Sequence, residues 1–368
     1  MPVSHPITTS LRIAFHVPRA SYLKPGFSGD KVLVPALIAG LQERGHQVKI
    51  VSRINARDFW RGRVSLFRLF AEAISIRQEM KRFSPDVWLV FNASVKNPDL
   101  FGWWQHPKRY VLINTDVAGG KAMPRWWRKL FMFIHRRSLA RADKVIAAHP
   151  QSFNDLRSLG IMEERLGSLP ITVKIWDRMP SKEDSRRRLG LPEEAPIILC
   201  VSRLSLSKTD MILDLMTAVS LLPSDVVLLL VGDGPCRQRV ENEAVKLKPK
   251  GRVRIFSSVQ DIKPFYSACD FFAYPYQVNR PWVVCLEAQA CGRPVVTMQT
   301  DSAKVIVDHG RTGLLARDLE EFQAQIEELA RDRARCESMG KAAREYIERN
   351  HSIEVRLKQI EDLPIGSN

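Results

Sequence analysis

Short apolar runs, each followed by an amphipathic stretch and a glycine- or proline-marked turn, set the rhythm of this chain. The first run, residues 12–18 (RIAFHVP), reads as a buried strand. A loop with Gly26 and Ser28-Gly29-Asp30 follows, then an amphipathic helix over about 31–44, closed by Gly45-His46, and a second strand at 48–52. Strand, glycine loop, helix and strand make a parallel βαβ unit. Further apolar runs at 87–91, 110–114 and 144–148 alternate with helical segments, the alternation of a doubly wound sheet. Residues 178–196 (RMPSKEDSRRRLGLPEEAP) are charged and proline-bearing, and read as an interdomain linker with a short helix.

The rhythm then restarts. Strand 197–201, helix 210–222 and strand 226–231 lead to the turn Gly232-Asp233-Gly234-Pro235, a helix to about 247, strand 253–256 and helix 262–268. Next come an apolar strand inside 270–276 (DFFAYPY), a polar loop, and a helix whose single acid is Glu287. Gly292-Arg293-Pro294 ends that helix and Val295-Val296 begins another strand. Residues 318–349 read as one long charged helix with Leu319, Phe322, Ile326 and Leu329 at helical spacing. The pattern predicts two α/β domains of similar size, which the length of 368 residues also favours.

Charge changes the picture. Residues 1–180 hold 29 Lys and Arg against 13 Asp and Glu, whereas residues 181–368 hold 27 of each, so the whole net charge of +16 belongs to the first half. Such asymmetry suits an anionic partner of that half. Two helical segments there draw notice, 57–83 and 124–141 (PRWWRKLFMFIHRRSLAR). On a helical wheel Trp126, Trp127, Leu130, Phe131, Phe133 and Ile134 of the latter share a face, with Arg125, Arg128, Lys129 and Arg136 opposite. Two readings stand for it: a helix resting in an anionic membrane interface, or a sheet-packing core helix. A nucleic-acid role lacks any recognition module. The polar start predicts no secretory signal, no apolar window reaches membrane-span length, and six cysteines without zinc-like pairing fit a reducing compartment. A cytoplasmic protein, peripheral on the membrane, is expected.

The candidate chemistry lies in the second half, beyond strand ends. Arg203 follows a strand and Lys208 comes five residues later; two cations there can clamp a diphosphate whose charge must be neutralised if it is to leave. Gly232 and Gly234 either allow backbone to approach a ligand or make a tight turn. Glu287 either accepts hydrogen bonds from sugar hydroxyls or serves as a cap or ion-pair partner.

The order of these residues resembles retaining glycosyltransferases of the GT-B fold, specifically glycosyltransferase family 4 (group 1), over nearly the whole chain. Ser28-Gly29 stands where a Gly-Gly loop is usual, residues 231–235 match a Val-Gly-Asp-Gly-Pro strand end, and 286–296 (LEAQACGRPVV) match the most diagnostic segment. His351-Ser352-Ile353 and the helix after it resemble the segment that crosses back to the N-terminal domain. The resemblance implies two Rossmann-like domains facing across a cleft: 1–178, an acceptor domain; 179–350, a nucleotide-sugar domain; and 351–368, the returning helix. It implies transfer from a nucleotide-diphosphate sugar to a glycan or lipid-linked acceptor, without a cofactor or bound metal. Positions carried over to the donor are Arg203, Lys208, Gly232, Gly234, Glu287, Trp282, Val283 and Gly29; those at the reacting centre are Arg203, Lys208, Asn279 and Asp116.

Departures accompany the match. The first acid of the family's paired-acid motif is Asn279, which can hydrogen-bond a hydroxyl but carries no charge. Pro281-Trp282 replaces the usual Phe-Gly, and the position of a customary histidine is Thr115, beside Asp116, with His106 or His149 as substitutes. A catalytically silent GT-B protein that binds a glycan or nucleotide sugar is the alternative function.

Overall fold

The computed structural model describes residues 10–24, 29–117, 123–168, 171–247, 252–277 and 283–362. The chain divides into two compact units, Met1–Ile171 with Ile353–Asn368, and Thr172–Ser352.

The first unit contains β1 (Arg12–His16), α1 (Asp30–Glu43), β2 (Gln47–Ile50), α2 (Ala56–Trp60), α3 (Leu66–Phe83), β3 (Val87–Phe91), α4 (Gly102–Gln105), β4 (Tyr110–Thr115), α5 (Arg125–Arg141), β5 (Lys144–Ala147), α6 (Pro150–Ser158) and β6 (Leu166–Ser168). Its six strands are parallel in the order β2-β1-β3-β4-β5-β6. The order reverses between β1 and β3, so the loops beyond their carboxyl ends flank the position where such sheets bind ligands. The strands read as unbroken apolar runs because both faces are covered. Ala73, Ile76 and Met80 of α3 pack with Leu139 and Leu156 on Trp88, Val90 and Leu112. On the other face Leu37 and Leu41 of α1 pack with Leu357 and Ile360 on Phe15 and Leu89.

The segment 57–83 is two helices rather than one. Gly62, at φ +68°, takes the left-handed backbone that ends α2, and the Ser65 side chain caps α3 by accepting the Arg68 N–H at 3.2 Å.

The second unit contains α7 (Lys182–Arg188), β7 (Ile197–Val201), α8 (Leu206–Ser220), β8 (Val227–Val231), α9 (Arg237–Lys246), β9 (Val253–Phe256), α10 (Lys263–Ala268), β10 (Phe271–Tyr274), α11 (Val283–Ala290), β11 (Val295–Met298), α12 (Asp301–Ile306), β12 (Gly313–Ala316), α13 (Leu319–Arg331) and α14 (Arg333–Asn350). Its parallel order is β12-β11-β10-β7-β8-β9, reversing between β7 and β10. The stretch expected as a linker packs into this unit. Arg186 of α7, 2% exposed, donates to Asp270 at 2.9 Å and to the Ala268 carbonyl at 3.0 Å. The helix expected over 318–349 is likewise broken at Asp332, whose side chain caps α14 by accepting the Arg335 N–H at 2.9 Å.

The last helix, α15 (Ile353–Glu361), belongs to the first unit. Arg44 pairs with its Glu354 and Glu361, each at 2.6 Å, and a Cβ on Gly40 would stand 2.5 Å from Leu357 Cδ1. Glycine at position 40 lets α1 and α15 approach that closely.

Candidate active site

In the second unit the chain leaves β7 through Ser202-Arg203-Leu204 and enters α8 at Leu206, earlier than the apolar spacing suggested. Lys208 therefore lies in the first turn of α8 rather than ahead of a helix. Ser205, the residue capping α8, makes no side-chain capping bond, so the helix end presents main-chain N–H groups beside two cations. Arg203 is exposed, and among the described residues no carboxylate lies within 4 Å of its guanidinium. The Lys208 ammonium sits 2.8 Å from the Tyr274 hydroxyl and within 5.7 Å of the Tyr274 and Tyr276 ring centres. Burial lowers its pKa, and the nearby Arg203 charge adds to that. An arriving anion would relieve both costs.

Gly232 and Gly234 follow β8 and run against this loop. A Cβ at Gly232 would fall 1.9 Å from the Ser202 carbonyl oxygen, and one at Gly234 2.3 Å from that of Leu204. The Leu204 N–H donates to the Asp233 carbonyl at 3.0 Å, and its own carbonyl accepts the Cys236 N–H at 3.0 Å. The two glycines thus let the 232–234 turn approach and hold the segment carrying Arg203.

Glu287 is in the middle of α11 and is 4% exposed. The fully buried Tyr266, from α10, donates its hydroxyl to Glu287 Oε2 at 3.0 Å. Burial, with the Glu287 charge added, raises the Tyr266 pKa far above the usual phenol value, so it remains a donor. Val283 opens α11; Asn279 and Trp282 lie outside the described residues. Tyr266 and Tyr274 are the residues that sequence reasoning passed over, since an aromatic in an apolar run carries the same pattern as core. Among the described residues no group of three or more His, Cys, Asp or Glu side chains is arranged to hold a metal ion.

In the first unit Gly29, at φ +61°, precedes α1, and a Cβ there would meet nothing within 4 Å. Asp116 follows β4 and accepts from Ser152 Oγ at 3.0 Å, with His149 Nε2 3.9 Å from its other oxygen. Thr115, where the resemblance puts a histidine, is buried. Of the two proposed substitutes, His149 shares the carboxyl edge of the sheet with Asp116. His106 precedes β4 and contacts Arg141 at 3.1 Å at the opposite, amino edge. Asn92 and Asn114 hold left-handed backbone (φ +65° and +55°) at the ends of β3 and β4, strained positions of the kind that gather at ligand sites.

The 124–141 segment forms α5, but its apolar face is divided. Phe131 is fully buried, and Trp127 and Ile134 pack around it with Phe59. Trp126 (60%), Phe133 (50%) and Leu130 (38%) face solvent. The expected single face straddles the boundary because the sheet buries only the side that includes His135, Ser138 and Leu139.

Comparison with known proteins agrees with this architecture. Residues 181–346 match the family model described as glycosyl transferases group 1. The chain is 29% identical over 233 residues to the GDP-mannose-dependent monoacylated alpha-(1-6)-phosphatidylinositol monomannoside mannosyltransferase of Corynebacterium glutamicum, covering 61% of this chain and 58% of that protein. It spans less than two thirds of the length of this and other curated relatives. Sucrose-phosphate synthase from Thermosynechococcus elongatus superposes with a TM-score of 0.72 at 20% identity, over 96% of this chain and 98% of that one. Anabaena HepE in complex with UDP-glucose gives 0.69 at 19% identity, over 95% and 98%. The chain has the GT-B fold of these structures, and its residues 181–346 carry the match to the glycosyl transferases group 1 family.

Proposed function

We propose that the protein is a retaining glycosyltransferase that moves a sugar from a nucleoside-diphosphate donor to a glycan or lipid-linked acceptor in surface polysaccharide or glycolipid assembly. One observation carries the reading: Arg203, Lys208 and the N-terminus of α8 gather beyond β7, while Glu287 rises beyond neighbouring β10. Leaving diphosphate develops negative charge as the bond to the sugar breaks. Two cations and a helix end meet that charge in the role a metal plays elsewhere. Glu287 would accept hydrogen bonds from the ribose hydroxyls. The mannosyltransferase is GDP-mannose-dependent and HepE is in complex with UDP-glucose, and both compounds share this nucleoside-diphosphate and sugar chemistry.

The test is turnover of a panel of nucleoside-diphosphate sugars by the purified protein with EDTA present, alongside Arg203→Ala and Glu287→Ala. Activity in EDTA that either substitution removes is the expected result. Unchanged turnover in both variants would refute the assignment. Donor binding without transfer would instead identify the silent binding protein that Asn279 suggests.

We also assign a face of the first unit to an anionic membrane surface. Leu66 (73%), Phe67 (83%) and Phe70 (66%) of α3 are exposed, and α5 adds Trp126, Leu130 and Phe133 with Arg125, Lys129 and Arg136. Both helices lie on the same sheet face and share Leu69, Trp127 and Ile134 around Phe131. Apolar wedges among cations suit a headgroup interface. Among the described residues no helix is long and apolar enough to cross a membrane. Phe67→Ser with Trp126→Ser should abolish sedimentation with anionic vesicles; retained sedimentation would return these residues to ordinary surface.

A further inference from the structure

The sheet of the first unit has its own reversal point, between β1 and β3, and the loops beyond it concentrate positive charge. The Ala56 N–H donates to the Pro18 carbonyl at 2.9 Å, which brings the loop after β1 against the start of α2. Arg19 and Arg57 are the residues that follow these two. The Ser21 N–H, donating to Asn55 Oδ1 at 3.1 Å, fastens the same loops a second time. Arg19 donates to the Tyr22 hydroxyl at 2.7 Å and lies over its ring at 4.6 Å. Arg57 donates through Nε to Asn97 Oδ1 at 3.1 Å. Asn97 closes the tight turn after β3, with reciprocal main-chain bonds to Ser94, and Lys96 stands exposed at its tip. Three successive βα loops each bring one cation to one end of the sheet.

Compensation is sparse. Among the described residues neither Arg19 nor Arg57 has a carboxylate within 4 Å. Of the two nearby acids, Asp58 accepts from Asn55 at 3.0 Å, while Asp30 accepts from Asn92 at 2.9 Å and from the Tyr22 hydroxyl and offsets part of the Arg19 charge from beyond ion-pair distance. Both arginines are partly buried, and their hydrogen bonds to the Tyr22 hydroxyl and Asn97 Oδ1 use only part of each guanidinium's five donors. Burial, followed by repulsion from Arg19, lowers the Arg57 pKa. Two cations on adjoining loops that bond to each other, at a ligand edge and repelling one another, suit an anion.

We propose that Arg19 and Arg57, with Tyr22 and Lys96 beside them, form a phosphate-binding subsite in the first unit, which takes a phosphate ester carried by the acceptor. The inference deepens the acceptor half of the proposed function and rests on that reading for the word acceptor alone. The phosphate site itself stands on the residues of the first unit. It is separate from the donor diphosphate, which the same reading assigns to Arg203 and Lys208. Guanidinium forks match two phosphate oxygens at a time, and the exposed Lys96 ammonium can add a third positive charge.

The source of the phosphate is a water-soluble ester or a lipid headgroup, and calorimetric titration of the full chain separates them. Glycerol 3-phosphate and short-chain dihexanoylphosphatidic acid serve as probes. Binding of both indicates a soluble ester; binding of the acylated probe alone indicates a lipid. Either supports the site if Arg19→Gln with Arg57→Gln weakens it by roughly tenfold or more, as loss of two charge-assisted contacts requires. Arg203→Ala should leave that affinity unchanged. Arg57→Lys, which keeps the charge, should retain measurable binding and so excludes unfolding as the cause of the loss. No binding of either probe, or unchanged affinity in the double variant, overturns the inference. Nucleoside-diphosphate binding, measured on the same proteins, should survive the double variant and fail in Arg203→Ala; its failure in neither would sink the donor reading while leaving this site standing.

Discussion

Replacing Tyr266 with Phe removes one oxygen from a fully buried position and changes little else. That oxygen is 3.0 Å from Glu287 Oε2 and 3.3 Å from the Val284 carbonyl, so the hydroxyl donates to the carboxylate that the proposed mechanism needs. A hydrogen bond to a charged group contributes about 1.5–3 kcal/mol, and an acceptor left buried without it loses a similar amount. If the bond serves only the fold, the whole cost appears as lowered stability and donor binding is untouched. If it orients Glu287 toward ribose hydroxyls, part of the cost reappears in donor affinity, as a roughly tenfold or larger rise in KM with kcat less affected. The Phe ring keeps the contacts with Phe272 and Trp176, so packing is retained. The assay is initial-rate kinetics over donor concentration, paired with a thermal melt of each protein. A variant that melts lower while its KM equals that of the parent refutes positioning by Tyr266.

Other consequences follow from close packing and burial. A Cβ on Gly340 would stand 2.2 Å from the Gly292 carbonyl oxygen, a main-chain atom that cannot rotate away. Gly340→Ala should therefore force α14 off the end of α11 and cost on the order of 1–3 kcal/mol, more than Gly40→Ala, which meets only the flexible tip of Leu357. Equal losses in thermal melts of the two variants would contradict this. His135 of α5 is buried, and desolvation pushes its pKa down to about 4, partly opposed by Asp116. Because the unfolded imidazole titrates near 6.5, the unfolded chain binds the proton first. Stability should be full above that pH and fall as pH drops from about 6.5 toward 4, by on the order of 3 kcal/mol. His135→Gln should flatten the fall in urea midpoint over that range; an unchanged slope would place the acid sensitivity elsewhere.

Much of this protein is legible in its sequence. Strands β7, β8 and β10 stand out because parallel strands are buried on both sides and so must be continuous apolar runs. Gly292-Arg293-Pro294 marks a helix stop, with Gly292 at φ +69°. Arg203, Lys208 and Glu287 are candidates from the sequence because each comes after a strand, and the strand ends of such a sheet converge. Local chemistry also hid some boundaries. Gly62 and Asp332 divide stretches whose apolar spacing runs on without interruption, and α8 begins four residues before its periodic pattern is apparent.

What the sequence determines by itself, then, is the order of strands and helices and the chemical kinds of residue available at each strand end, since both depend on neighbours along the chain. The tertiary structure decides which of those residues meet. Tyr266 reaches Glu287 across 21 positions, and Gly232 and Gly234 press against Ser202 and Leu204. The sheet selects which side of α5 is buried, and two bonded loops bring Arg19 to Arg57. These pairings depend on backbone approach and burial through space, and neither quantity has a period in the chain.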